Sequence, residues 1–303
     1  MLRSLLLYLS ERQTAKQLLT QHRVGRRLAS RFIAGETTDH ALATVRRLEN
    51  DGFGVTLDYL GESVQEAEQA KAAAETYLAL LDRLAAERLK SHVSIKLTQL
   101  GLAFDEALAR QHLRALAERA AEHGIFVRVD MEGSAFTEST LRVFRAVDAP
   151  REVVGVAIQA YLRRSQADVQ ELLKYGARIR LVKGAYKEPP DIAFPRKQDV
   201  DQSFLNLTQK LLASGTYHAI ATHDGRLVAA TEQFARAHGI SPRGFEFQML
   251  YGIRRQLQRE LLKKGWGVRV YVPFGQDWYP YFMRRLAERP ANLLFLFRNL
   301  FRA

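Results

Sequence analysis

Near the end of the chain the stretch WYPYFMRRLAERP, Trp278 to Pro290, sets Arg284 and Arg285 side by side. Asp277 can cap a helix here and Pro290 can stop one. At helical spacing Tyr281, Arg284, Arg285 and Glu288 fall three or four residues apart, so a phenol, two guanidiniums and a carboxylate share roughly one face. Such a face could hold an anion through guanidinium forks. A solvated charged face with an internal ion pair accounts for an isolated arginine pair just as simply. The rest of the chain has to decide.

The other residues able to do chemistry stand at the ends of short β-rich runs: Lys96, Thr98 and Gln99; Asp130 and Glu132; Gln159 and Tyr161; Arg180, Lys183 and Tyr186; Thr222, His223 and Asp224; Glu246 and Gln248; and Tyr271. In RIRLVKG, alternation puts Arg180, Val182 and Gly184 on one side, where a flat ligand could lie against backbone while a cation touches its edge. An arginine paired with a neighbouring strand is the alternative. Asp130, Glu132, His223 and Asp224 are suitable ligands for a divalent metal, although Lys96, Arg180 and Lys183 would crowd the same place with positive charge. Lys96 or Lys183 could also serve as a Schiff-base lysine in a cationic site. Neither alternative has a distinguishing motif.

Those runs read in order as GFGVTLDYLG, SHVSIKLTQLG, GIFVRVDMEG, VVGVAIQAY, ARIRLVKGAY, YHAIATHDG, FEFQML and GVRVYVPFG, with helix-period segments such as FDEALARQHLRALAERAAEHG between them. Strand then helix, repeated, implies parallel strands. Eight such units predict an α/β fold of the (β/α)8 TIM-barrel type, whose site lies at the C-terminal ends of the strands. A doubly wound open sheet is the competing architecture, but no G-x-G-x-x-G follows any of these strands. The barrel is expected over residues 51–290, after a basic helical segment at 1–50 and before an amphipathic tail at 291–303, all within one domain, since no linker interrupts the chain.

The 303 residues include 47% hydrophobic ones, enough for a large core, and no cysteine, which excludes disulfides and thiolate metal sites and suits a reducing cytosol. Lysine and arginine number 45 against 33 acidic residues, a formal net charge of +12 that attracts anionic ligands, lipids or nucleic acid. No nucleic-acid-binding module is recognisable, and the arginines are scattered rather than gathered on one element. The opening MLRSLLLYLS is too short to span a bilayer and reads as an amphipathic helix. Nothing specifies an oligomeric state.

The strings RIRLVKGAY, ATHD, FEFQMLYG and YPYFMRRLAE, in this order, strongly resemble the proline dehydrogenase family, over roughly Gly54 to Pro290 and in the short bacterial form without an aldehyde dehydrogenase half. The resemblance implies a distorted barrel with extra N-terminal helices and a C-terminal helix, holding FAD non-covalently. It implies oxidation of L-proline to Δ1-pyrroline-5-carboxylate by hydride transfer from proline C5 to flavin N5, the first step of proline degradation to glutamate. Carried over by residue, Arg284, Arg285 and Lys96 hold the substrate carboxylate, and Tyr271, Tyr281 and Leu250 surround the ring. Asp130 and Arg180 are the family's catalytic positions, Asp130 orienting Lys96 and Arg180 reaching flavin N5.

Met131, Gln159, Arg180, Lys183, Gly184, Ala185, Thr222 and His223 match flavin-contacting positions. Glu62, in YLGES, matches a gate carboxylate that pairs with Arg284 over the substrate. The family's electron acceptor is a membrane quinone, which implies peripheral contact of a cytoplasmic protein with the inner face of the cell membrane, and the basic charge and the tail suit such contact.

Overall fold

The structure, a computed structural model, describes residues 29–61, 64–147 and 149–288. Eight parallel strands pair in chain order, and the last returns to pair with the first, closing a barrel and removing the open-sheet alternative. They are β1 (Gly54–Tyr59), β2 (His92–Ile95), β3 (Val127–Val129), β4 (Val154–Gln159), β5 (Ile179–Val182), β6 (His218–Ala221), β7 (Phe245–Leu250) and β8 (Gly267–Phe274). Helix α1 (Thr38–Asn50) precedes β1. After successive strands come α2 (Ala67–Ala86), α3 (Glu106–His123), α4 (Ser134–Ala146), α5 (Ser165–Lys174), α6 (Lys197–Leu212), α7 (Gly225–Ala237), α8 (Arg255–Lys263) and α9 (Trp278–Glu288).

Local chemistry sets these bounds. In α3 the Asp105 side chain accepts from the Leu108 N–H at 3.0 Å, Leu113, Leu116 and Ala120 form the buried face, and Gly124 ends the helix with φ +64°. Along the strands one face carries Val55, Leu57, Val93, Ile95, Val127 and Val129 into the main apolar core beneath the helices. The other face points into the lumen and is buried but polar: Thr56, Asp58, Ser94, Arg128, Arg180, Glu246, Gln248 and Arg269. Branched aliphatic layers fill an ordinary barrel; here guanidiniums do, and glycine makes the room. A Cβ on Gly155 would come within 2.6 Å of Arg128 Nη1 and 2.7 Å of Phe126 Cζ.

Helix α1 packs on β1 and β8, burying Ala41, Leu42, Val45 and Leu48 over the seam where the helix after β8 would complete an outer ring. With that seam covered, α9 lies elsewhere. Its Trp278, Tyr279, Phe282 and Met283 join Phe32, Ile33, Leu60 and Ile253 in a second apolar core, at the C-terminal side of β1 and β7. Each large side chain buried there contributes about 1.5–3 kcal/mol. Residues 1–28 and the tail at 291–303, with the amphipathic helices read in them, lie outside the described residues.

Candidate active site

The C-terminal mouth gathers two linked charge clusters. Lys96, just past β2, donates from Nζ to Asp58 Oδ1 on β1 at 2.8 Å, and both side chains are buried. Asp130, just past β3, accepts from Arg180 Nη1 at one oxygen and from the Tyr271 hydroxyl at 2.7 Å at the other. Arg180 also donates from Nε to Gln248 Oε1 at 2.5 Å and from Nη1 to Ser94 Oγ at 2.9 Å. Its guanidinium carbon lies 5.2 Å from the centre of the Tyr271 ring. Burial raises the pKa of Asp58, the Asp130 charge adds to the rise, and Lys96 opposes it. Burial and the same two carboxylates push the Tyr271 phenol well above its ordinary range, so it stays a donor.

The carboxylate on Lys96 is therefore Asp58, whereas Asp130 is committed to Arg180 and Tyr271. Tyr271 likewise does more than pack. Sequence reasoning missed Asp58 as a site residue. The signal was present: aspartate is depleted inside strands, and in GVTLDY it shares the lumen face with Thr56.

On the β4 to β6 side Gln159 clamps two strand ends, donating to the Glu132 carbonyl at 2.8 Å and accepting from the Ala185 N–H at 3.3 Å. Met131 is buried beside Asp130. Gly184 has φ +125°, and a Cβ there would meet the Tyr161 ring at 2.2 Å. The glycine is thus demanded by its backbone and by Tyr161. Lys183 donates to Asp201 at 2.6 Å and Asp224 at 3.1 Å, and Lys197 and Arg226 join the same carboxylates. Asp224 is held down at about 2: partial burial works against this, and the bonds from Lys183 and the Arg226 N–H outweigh it.

His223 Nε2 accepts from the Leu250 N–H at 2.8 Å, which assigns the ring proton to Nδ1. Thr222 Oγ1 accepts from the Asp224 N–H at 3.1 Å. Glu132 takes the Thr98 N–H at 3.1 Å and the Thr98 hydroxyl at 2.5 Å. The four residues weighed as metal ligands are thus engaged in separate pairs, and no His, Cys, Asp or Glu cluster among the described residues could hold a metal.

Above the mouth, α9 presents the opening motif. Arg284 and Arg285 are half-buried, the Arg285 guanidinium carbon lies 5.2 Å from the centre of the Tyr281 ring, and Leu250 packs against the aromatic core that contains Tyr281. Trp278 Nε1 anchors the helix start to Glu36 at 3.0 Å. Glu62 and the side chain of Glu288 lie outside the described residues.

Residues 41–298 match the family model described as proline dehydrogenase. The chain belongs to the proline dehydrogenase family. It is 43% identical over 301 residues to "Proline dehydrogenase 1" of Bacillus subtilis, covering 99% of each chain. It is 41% identical to "Proline dehydrogenase" of Deinococcus radiodurans, covering 98% of this chain and 97% of that one. Among solved structures, proline utilization A of Bdellovibrio bacteriovorus, inactivated by N-propargylglycine, superposes with a TM-score of 0.81 at 28% identity. That match covers 86% of this chain and 32% of the other, so the chain spans about a third of that longer protein. Membership makes the chain an enzyme that oxidises proline, the first step of proline catabolism. Among the described residues no helix is long and apolar enough to cross a membrane.

Proposed function

We propose that the mouth binds FAD non-covalently along the ends of β3 to β6 and holds L-proline between that cofactor and α9, yielding Δ1-pyrroline-5-carboxylate. The donor set fits the cofactor. Lys183, Lys197 and Arg226 face Asp201 and Asp224, three cations to two carboxylates, which leaves positive charge for a pyrophosphate. The Gln159 amide, the Thr222 hydroxyl and the His223 ring bring polar groups to the place of a ring and ribityl edge. Bound flavin supplies the hydride acceptor, N5, for proline C5.

The chain's own residues do the positioning. Arg284, Arg285 and Lys96 take the substrate carboxylate, and guanidinium forks fix its direction as well as its place, as hydride transfer requires. Asp130 keeps Arg180 and Tyr271 in register, so that a cation stands where reduced flavin gathers electron density. Leu250 and Tyr281 exclude water around the proline ring. A membrane quinone would serve as the electron acceptor, and the +12 charge supplies attraction to the anionic lipid around it.

The convergence of Arg180, Asp130 and Tyr271 with the Lys96–Asp58 pair under an arginine-bearing helix carries this reading. Its test is the visible spectrum of the purified protein, recorded without air before and after L-proline. A yellow spectrum that bleaches is expected; a colourless protein that FAD does not reconstitute overturns it. Co-sedimentation with liposomes tests the membrane step, which falls if binding ignores anionic lipid.

A further inference from the structure

We infer that Gln248 and Glu246, both on β7, are positioning residues for Arg180: they fix which edge of its guanidinium is locked and leave its positive charge intact. The inference rests on the proposed flavin site. Arg180 is locked along one edge, with Nε on Gln248 at 2.5 Å and Nη1 on Ser94 at 2.9 Å and on Asp130. No hydrogen bond from Nη2 to another described residue accompanies these, so Nη2 is the nitrogen left for a ligand.

The lock is set from the floor of the barrel. Glu246 and Gln248 are two apart on one strand and share the lumen face. Glu246 accepts from Arg269 Nε at 2.8 and 3.0 Å and from the Tyr217 hydroxyl at 3.1 Å. Burial alone would raise its pKa, but Arg269 foremost, then Gln248 and Tyr217, bring it below the ordinary glutamate value. An ionised carboxylate only accepts hydrogen bonds. Gln248 must therefore turn its NH2 to Glu246, which it does at 2.6 Å, and that turn aims its carbonyl at Arg180 Nε. Flipping the amide would set NH2 against guanidinium and carbonyl against carboxylate. The direction of one neutral amide thus passes the orientation of the buried Glu246–Arg269 pair to the cation at the mouth.

Neutrality is the second half of the design. A glutamate at 248 could accept the same bond from Arg180, but it would place another negative charge beside a guanidinium that already faces Asp130. The amide orients without cancelling, which keeps a net cation where flavin electronics are tuned.

The experiment uses the flavin-loaded full chain. Gln248→Glu keeps the acceptor and adds charge; Gln248→Met keeps the volume and removes the acceptor. The readouts are the flavin reduction potential, kcat and KM for proline, and the affinity for tetrahydrofuran-2-carboxylate, an isostere without the amine. Gln248→Glu is expected to lower the potential by about 30 mV, the tenfold equivalent for a two-electron couple. Gln248→Met is expected to lower kcat about tenfold, ~1.4 kcal/mol in the barrier, with KM and the isostere affinity within twofold. If the added charge at 248 prevents folding, Gln248→Met decides alone by the kcat-against-KM split.

A merely structural role would reduce flavin content or thermal stability and leave the potential and kcat of the loaded fraction at wild-type values, which overturns the inference. A wild type that binds no flavin removes the proposed function instead. A proline-bleached wild type with unaltered variants removes only the positioning role.

Discussion

Asp58 and Glu246 are carboxylates buried in the same lumen, one near the mouth and one toward the floor, and they are displaced in opposite directions. Glu246 has Arg269 on both oxygens, with Gln248 and Tyr217 in addition, and stays ionised below its ordinary range. Among the described residues Asp58 has Lys96 as its counter-charge and a second carboxylate, Asp130, nearby, and burial raises it. At the floor the fold completes its charges. At Asp58, near the mouth, it leaves the charge under-compensated, in the way groups held ready for a ligand are.

Isosteric neutralisation at the two ends should break that symmetry most visibly. Glu246→Gln leaves Arg269 buried without a counter-charge and is expected to cost about 3–5 kcal/mol of stability, read as a fall in the urea midpoint. Asp58→Asn likewise takes the Asp58 charge from buried Lys96, but it relieves a carboxylate that burial disfavours and keeps an oxygen for the ammonium, so it should cost less stability than Glu246→Gln, with a loss in kcat/KM besides. Equal destabilisation by the two would erase the distinction. Acid sharpens it. The Glu246 pKa is lowered from 4.5, so its contribution is full above 4.5 and is lost as the pH falls through the folded value. The Asp58 pKa is raised from 3.8, so its penalty is full above the folded value and disappears as the pH falls toward 3.8. The gap between wild type and Glu246→Gln should therefore narrow below pH 4.5, the ordinary glutamate value.

The mouth should pay in binding where the floor pays in stability. Arg284→Met and Arg285→Met each remove a charge-assisted contact worth about 1.5–3 kcal/mol, so the KM for proline should rise about 10–100-fold. Flavin content should stay near wild type, because both residues sit on α9 while the groups proposed to hold the cofactor stand at the ends of β4 to β6 and on α6 and α7. Lysine at either place should recover little, since a point charge lacks the fork. Near-normal KM in both methionine variants would remove the carboxylate from these arginines.

The eight strands were legible because turn residues punctuate them and helical periods separate them. The polar residues of the lumen and mouth were legible too, but Glu246, read as a strand-end residue, is second in β7 and lies toward the floor, and the partners of these residues were not legible. Arg180 on β5 meets Gln248 on β7, Ser94 on β2 and Asp130 beyond β3, none of them on a strand adjacent to β5. Such contacts depend on strand tilt and stagger around the closed barrel, which no spacing along the chain encodes. Asp130, which the resemblance sets beside Lys96, meets Arg180 and Tyr271 instead, and Asp58 on the neighbouring β1 holds Lys96. Gly184 shows the complementary limit: the sequence marks a position that wants glycine, and only the fold shows that Tyr161 is what excludes a Cβ.

Lys183 lies between the two extremes and gives the smallest expected effect. Its side chain keeps 27% of its exposure and shares Asp201 and Asp224 with Lys197 and Arg226. An exposed member of such a network contributes about 0.2–1 kcal/mol, so Lys183→Met should weaken FAD binding no more than about fivefold, measured by flavin fluorescence on titration of the apoprotein. High salt screens partly exposed charges, and the difference between variant and wild type should shrink as ionic strength rises. A variant that loses FAD altogether, at any salt, would mean that the pyrophosphate rests on this single ammonium. The under-compensated mouth would then extend from Asp58 across to β5, and Lys197 and Arg226 would be bystanders.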